Sequence, residues 1–413
     1  MKTTVLMLGT FDTKGLEFTY LRDELIRHDI SVISLDAGTM DSSVPFPVDI
    51  PSSVVAEHGG RSLESLRQDA DRGGAVAVMG QGAKAVAEKL FADKKISGII
   101  GMGGGGGTSI ATTAMSALPI GVPKICISTL ASGDTRPYIG SKDILLFPSI
   151  VDISGINLFS RKIISNAAAA MAGMVKNEMP DSAAQSNAAI LLSMFGNTTA
   201  AGTECSRLLS QAGYDTLVFH AVGTGGQSLE DLALDGYSAG VLDLTTTEWA
   251  DELCGGIFPA GRSRLDAPGQ KGVPHLIVPG CLDMVNFGPP DTIPSQYKNN
   301  DRVFFQWAPE AVLMRTNEEE NRKLGRIFAE KANRAPETTA FLVPLGGFSE
   351  LGRSGGEFHD PAADQAFLCA LRESLNPEIR LETIPCNIND AAFAEKAVAT
   401  LLKLIESVSQ NYK

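Results

Sequence analysis

Short apolar runs alternate with longer segments of helical periodicity along almost the whole chain, and this alternation constrains the fold more than any single motif. In the first half, strand-like runs fall at 3–9, 30–35, 96–102, 122–128 and 143–147. Helix-like segments fall at 14–28, 61–71, 80–93, 108–117 and 157–176. Strands separated by helices must return to the same edge, so they pair in parallel with helices on the sheet faces. Around 177–187 the chain turns polar, small and proline-punctuated, which marks a boundary. The alternation then restarts, with strands expected at 188–194, 216–220, 239–244, 274–278, 302–306, 338–344 and 379–384. Its helices are expected at 198–212, 227–235, 318–333, 361–375 and 389–407. The expectation is an α/β chain of two Rossmann-like domains, 1–180 and 188–413, each a mostly parallel sheet flanked by helices. A length of 413 residues suffices for two cores.

Composition removes several classes of function. A formal charge of −13 leaves no basic stripe for nucleic acid. No apolar run approaches the roughly 18 residues that would span a membrane, and the apolar start at 3–9 is short enough to be a first strand, so a cytoplasmic protein is expected. The six cysteines contain no C-x-x-C pair and read as reduced core thiols.

The strongest candidate site is the run Gly103, Gly104, Gly105, Gly106, Gly107, clamped between an apolar strand and the helix opening at Thr108. Unpaired amides at a helix start cradle anions, so a phosphate or carboxylate is expected there. No G-x-x-x-x-G-K-[ST] loop occurs, and the missing cation is sought in the turn after the first strand, Gly9-Thr10-Phe11-Asp12-Thr13-Lys14. Asp36 ends the second strand, where a ribose-binding carboxylate would stand. Ser128, Thr129 and Asp134 follow another strand, with Asp134 a candidate metal ligand.

In the second half His220 ends a strand before the glycine turn at Gly225 and Gly226, a second candidate anion cradle. His220 is a candidate acid or base, Glu248 a candidate to orient a proton or metal-bound water beside it, and Asp283 a further candidate catalytic group. Thr246, Arg262, Arg264 and Asn286 are candidate holders of a small-molecule anion.

Six stretches together resemble the Tm-1-like ATP-binding proteins, an uncharacterised family of bacteria and plants. They are Gly9 to Lys14, the glycine run at 101–108, 128–134, 151–157, 243–248 and 283–288. The resemblance implies two Rossmann-like domains, ATP with Mg²⁺ in the first, and self-association as a homodimer or larger assembly, which the alanine-rich helix at 166–175 would also allow. The stretch 346–357 departs from the family pattern, where an Asp-Pro-Gly loop is expected, and 297–302 lacks a His. The functional expectation is an ATP-binding enzyme of organic-acid metabolism with an anionic substrate near the second domain. A non-catalytic ATP-liganded interaction module is one alternative, and a metal-independent lyase or hydrolase of an acyl or keto acid is another.

Overall fold

A computed structural model describes residues 3–69, 71–177, 189–298 and 301–411. The chain divides into two compact units, Met1–Pro180 and Asp181–Lys413. From residue 178 on, the linker expected at 177–187 lies outside the described residues.

The first unit runs β1 (Thr4–Gly9), α1 (Gly15–Arg27), β2 (Ser31–Asp36), α2 (Ser52–His58), α3 (Leu63–Asp69), α4 (Arg72–Ala92), β3 (Gly98–Gly103), α5 (Gly105–Met115), β4 (Lys124–Ser128), α6 (Arg136–Ile139), β5 (Leu145–Pro148) and α7 (Leu158–Lys176). Its strands are all parallel, in the order β2-β1-β3-β4-β5. The chain leaves β1 to one side for β2 and crosses to the other for β3. Loops therefore diverge beyond the carboxyl ends of β1 and β3, the crevice where doubly wound sheets take ligands.

Strand β3 is buried along its length, as a central parallel strand covered on both faces must be. Its glycines let α5 lie close. A Cβ at Gly101 would stand 2.7 Å from the Ala111 Cβ, and one at Gly103 would stand 2.6 Å from the Gly107 Cα. The helix accordingly opens at Gly105 rather than at 108, with Gly104 as its N-cap. Helix α4 opens at Arg72 rather than at 80, because the Asp71 carboxylate accepts the Gly74 N–H at 3.1 Å and caps it. In α7 the small residues Ala167, Ala168 and Ala172 are buried in the unit's own core.

The second unit runs β6 (Ala189–Met194), α8 (Thr199–Gln211), β7 (Asp215–His220), α9 (Thr224–Leu234), β8 (Gly240–Thr245), α10 (Glu248–Cys254), α11 (Ala267–Gln270), β9 (His275–Gly280), β10 (Met284–Phe287), α12 (Ser295–Lys298), β11 (Phe304–Ala308), β12 (Ala311–Arg315), α13 (Glu318–Ala332), β13 (Thr339–Pro344), α14 (Pro361–Ser374), β14 (Arg380–Ile384) and α15 (Ala391–Asn411). Six parallel strands form the order β14-β13-β9-β8-β6-β7. Read from β7, this is the second, first, third and fourth strand in turn, the same winding as the first unit. Between β9 and β13 the chain adds an antiparallel sheet, β10-β12-β11, of which the alternation predicts only the strand at 302–306. Among the described residues no helix is long and apolar enough to cross a membrane.

Candidate functional site

A cleft of about 610 Å³ opens at the carboxyl ends of β1, β2 and β3, a size typical of small-molecule sites. The loops after β1 and β2, the first turn of α5 and one side of α3 and α4 line it. The first amide of α5 with a partner inside the helix is that of Thr108, bonded to the Gly104 carbonyl at 2.8 Å. The N–H groups of Gly105, Gly106 and Gly107 precede it, with no side chain capping them. Packing does not demand glycine at the start of this turn. A Cβ at Gly104 would meet nothing nearer than the Thr129 Oγ1 at 3.7 Å, one at Gly105 nothing nearer than the Leu130 Cδ1 at 3.9 Å, and neither has a positive φ. What a side chain there would obstruct is access to the amides.

Three cationic side chains line the cleft: Lys14, Arg67 and Arg72. The Lys14 ammonium donates to the Ile153 carbonyl. Arg67 is held by the Thr39 carbonyl at 2.5 Å and by Asp41 at 2.9 Å. The Arg72 guanidinium makes no hydrogen bond or ion pair with a described residue. Asp12 accepts the Met40 N–H at 3.0 Å through Oδ2, while its Oδ1 has no partner. Thr10 also lines the cleft and shares a hydrogen bond with Thr13 at 3.0 Å. Leu66, Ala75, Val76, Met79 and Ile110 give it an apolar wall. Arg67, Arg72 and most of that wall come from α3 and α4, whose sequence carries no ligand-binding motif to mark them.

Other first-unit candidates have structural duties. Gly9 is glycine because a Cβ would stand 1.9 Å from the Phe18 ring. Asp36 is buried, and its Oδ1 accepts the N–H groups of Phe11 at 3.0 Å and Gly38 at 2.8 Å, so it shapes the loops around the cleft without lining it. Burial pushes its carboxyl up against those bonds. Thr108 and Ser128 are buried and bonded to each other at 2.7 Å. The Thr129 N–H donates to the Gly103 carbonyl at 3.3 Å. Asp134 is clasped by Arg136 at 2.9 and 2.8 Å, away from the cleft lining.

In the second unit the structure corrects the expected anion clamp. Arg264 is buried, and its guanidinium reaches Glu248 at 2.7 Å, Glu230 at 3.1 Å and Asp243 at 2.7 Å. Glu248 in turn accepts the N–H groups of Gly223 at 2.9 Å and Gly226 at 3.1 Å. The anion in the second glycine cradle is thus the protein's own carboxylate. Gly226 must be glycine because a Cβ would stand 2.3 Å from that carboxylate, and Gly225 because one would stand 1.8 Å from the His220 carbonyl. Burial raises Asp243, but Arg264 and His275 outweigh it and hold the carboxyl well below the usual range. Burial pushes Glu248 and Glu230 up despite Arg264.

His220 is not joined to this cluster by a hydrogen bond. Its exposed imidazole stacks on Phe195 with ring centroids 5.3 Å apart. Glu248, expected to orient a proton or metal-bound water beside a His220 acid or base, is instead enclosed and bonded to Arg264 and the Gly223 and Gly226 amides. Thr246 is buried and donates to the Val278 carbonyl at 3.0 Å. Asn286 sits in β10 and donates to Asp251, its backbone N–H at 2.7 Å. Arg262 is 93% exposed and 3.8 Å from Glu252. Asp283 alone among these candidates is fully buried with a free oxygen: Oδ2 accepts the Ser349 hydroxyl at 2.6 Å, and Oδ1 has no partner. Ser349 carried no signal in the sequence beyond its glycine-rich neighbours.

Comparison with known proteins covers nearly the whole chain. Residues 3–180 match the amino-terminal domain of the uncharacterised protein family UPF0261, and residues 187–405 match its carboxy-terminal domain. A UPF0261 protein of Clostridium tetani is 44% identical over 98% of this chain and 100% of its own length. The ToMV resistance protein Tm-1 of Solanum lycopersicum is 37% identical over 97% of this chain and 55% of its own length. Among solved structures, a UDP-N-acetylglucosamine 2-epimerase from Rickettsia bellii covers 98% of both chains at 12% identity, with a TM-score of 0.24.

Proposed function

This chain belongs to the uncharacterised protein family UPF0261, and from that premise we propose that its first unit binds ATP with Mg²⁺ in the cleft at the carboxyl ends of β1, β2 and β3. One observation carries the reading. Gly104 and Gly105 are glycines that neither packing nor backbone angle requires, at a helix start whose first amides face a cleft. Amides and helix dipole together suit a phosphate chain, with Arg72 as an uncommitted cation beside them. The apolar wall from Leu66 to Met79 suits a base. Among the described residues no group of three acidic, His or Cys side chains could hold a metal alone. Mg²⁺ bound with a nucleotide needs only one or two carboxylates besides phosphate oxygens and water, and Asp12, with its free Oδ1, fits that part better than Asp134.

Calorimetric titration of ATP and Mg²⁺ into the wild type and Gly105→Val tests the site. The open surroundings of Gly105 let the variant fold, which circular dichroism will verify. Affinity should fall at least tenfold, about 1.4 kcal/mol, and an unchanged affinity would remove the site from contention. A second reading, an ATP-liganded interaction module without turnover, draws support from the name of the tomato relative, a ToMV resistance protein. Phosphate release from ATP by the purified protein, abolished in Gly105→Val, would decide for the enzyme.

A further inference from the structure

We propose that the second unit has its own small-molecule site at Asp283 and Asn197, covered in this structure by the loop 346–356, and that it takes a ligand presenting a hydrogen-bond donor, either a hydroxyl or an ammonium group. Asn197 follows β6, Asp283 follows β9 and the loop follows β13, so all three lie at the carboxyl edge of one parallel sheet, where such sheets gather ligands. Asp283 is 0% and Asn197 3% exposed. Each has an oxygen, Oδ1, with no partner. Buried polar atoms are bonded in the great majority of cases, so two orphans in one neighbourhood require an explanation.

Consecutive loop residues bring them together. The Ser349 hydroxyl donates to Asp283 Oδ2 at 2.6 Å, and the Glu350 N–H donates to the Asn197 carbonyl at 3.1 Å. The Asn197 side-chain nitrogen is turned to the Met284 sulfur at 3.7 Å, which leaves its oxygen free. Arg315 cannot serve as the missing donor, because its guanidinium is already bonded to the Phe358 carbonyl at 2.8 Å, to Thr316 and to Asp364 at 2.6 Å. The Asn197 oxygen is an acceptor, and so is Asp283 Oδ1 while that carboxyl is ionised, so the pair calls for a donor.

The cover is a loop without helix or strand, and it touches the site directly. Gly352 donates its N–H to the Ser349 oxygen at 3.0 Å, and a Cβ on it would stand 2.4 Å from Asp283 Oδ2. Lifting this segment breaks the Ser349 bond to Asp283 and the Glu350 bond to Asn197, the two contacts by which it holds these residues.

The inference is independent of nucleotide binding in the first unit. The test is calorimetric titration of the full chain with a polyol, erythritol, and separately with an amine, ethanolamine, combined with hydrogen exchange over 346–356. One probe should bind saturably and change exchange in that loop. Asn197→Leu, and Asp283→Asn as a second variant should the first fail to fold, should weaken binding at least tenfold, while Gly105→Val should bind the probe as the wild type does. Binding of erythritol alone would assign a hydroxyl ligand, and of ethanolamine alone an ammonium ligand. The proposal is overturned if neither probe binds, if both variants bind unchanged, or if a high-resolution structure shows one fixed water satisfying both oxygens in the presence of either probe.

Discussion

Arg264 is a charge with almost no access to water, and its survival depends on Asp243, Glu230 and Glu248 around it. Removing it would strand buried carboxylates, which is far more damaging than losing an exposed pair. Arg264→Met should lower unfolding free energy by about 3–5 kcal/mol in urea titration. Arg262→Ala, two positions away but exposed, should leave the urea midpoint where it was. A sequence cannot separate these two arginines, since both follow glycines in one loop, and the difference lies in which carboxylates other segments deliver. The same blindness explains Glu248. A carboxylate after a parallel strand occupies the position of a ligand-binding acid whether its partner is a substrate or, as here, the amides of a neighbouring helix.

Helix α4 crosses α2 at a glycine, and the contact is tight enough to oppose helix propensity. A Cβ on Gly82 would stand 1.8 Å from the Val55 carbonyl oxygen, whereas one on Gly173 in α7 meets open space. Alanine ordinarily favours a helix interior over glycine by up to about 1 kcal/mol. Gly173→Ala should therefore raise the melting temperature slightly, and Gly82→Ala should lower it, by about 1–3 kcal/mol of stability, because two backbones must part. At this scale the parallel strands were legible, because most are apolar runs set beside helical patterns. The antiparallel addition was not. Strand β10 has four residues and β12 five, too few for a period of two to stand out, and Asn286 breaks the apolar run of the first. The opening of α4 was hidden by Arg72-Gly73-Gly74, which reads as a turn until Asp71 is seen to cap it.

Across the whole molecule, buried carboxyls give stability a definite slope with pH. Burial pushes Asp251 to about 7 against its bonds from Asn286 and Phe258. Burial likewise pushes Asp364 to about 7 against Arg315. Glu230, Glu248 and Asp283 move in the same direction. Between about pH 4 and 7 the folded chain keeps protons that the unfolded chain has released, so this contribution is full below the ordinary carboxylate range and fades as pH rises through 7. Asp243 acts oppositely, but only in strong acid. The urea midpoint should accordingly be higher near pH 5.5 than near pH 8, and a flat or inverted profile would show that these groups are ionised throughout. The cradle at α9 has a different consequence for the whole chain. Because Glu248 is tethered to the fold and already bonded to the Gly223 and Gly226 amides, any free anion must compete there with a partner that never diffuses away. With its other oxygen held by Arg264, that competitor stays in place while the fold does, so the helix start is filled from within the chain and not from solution.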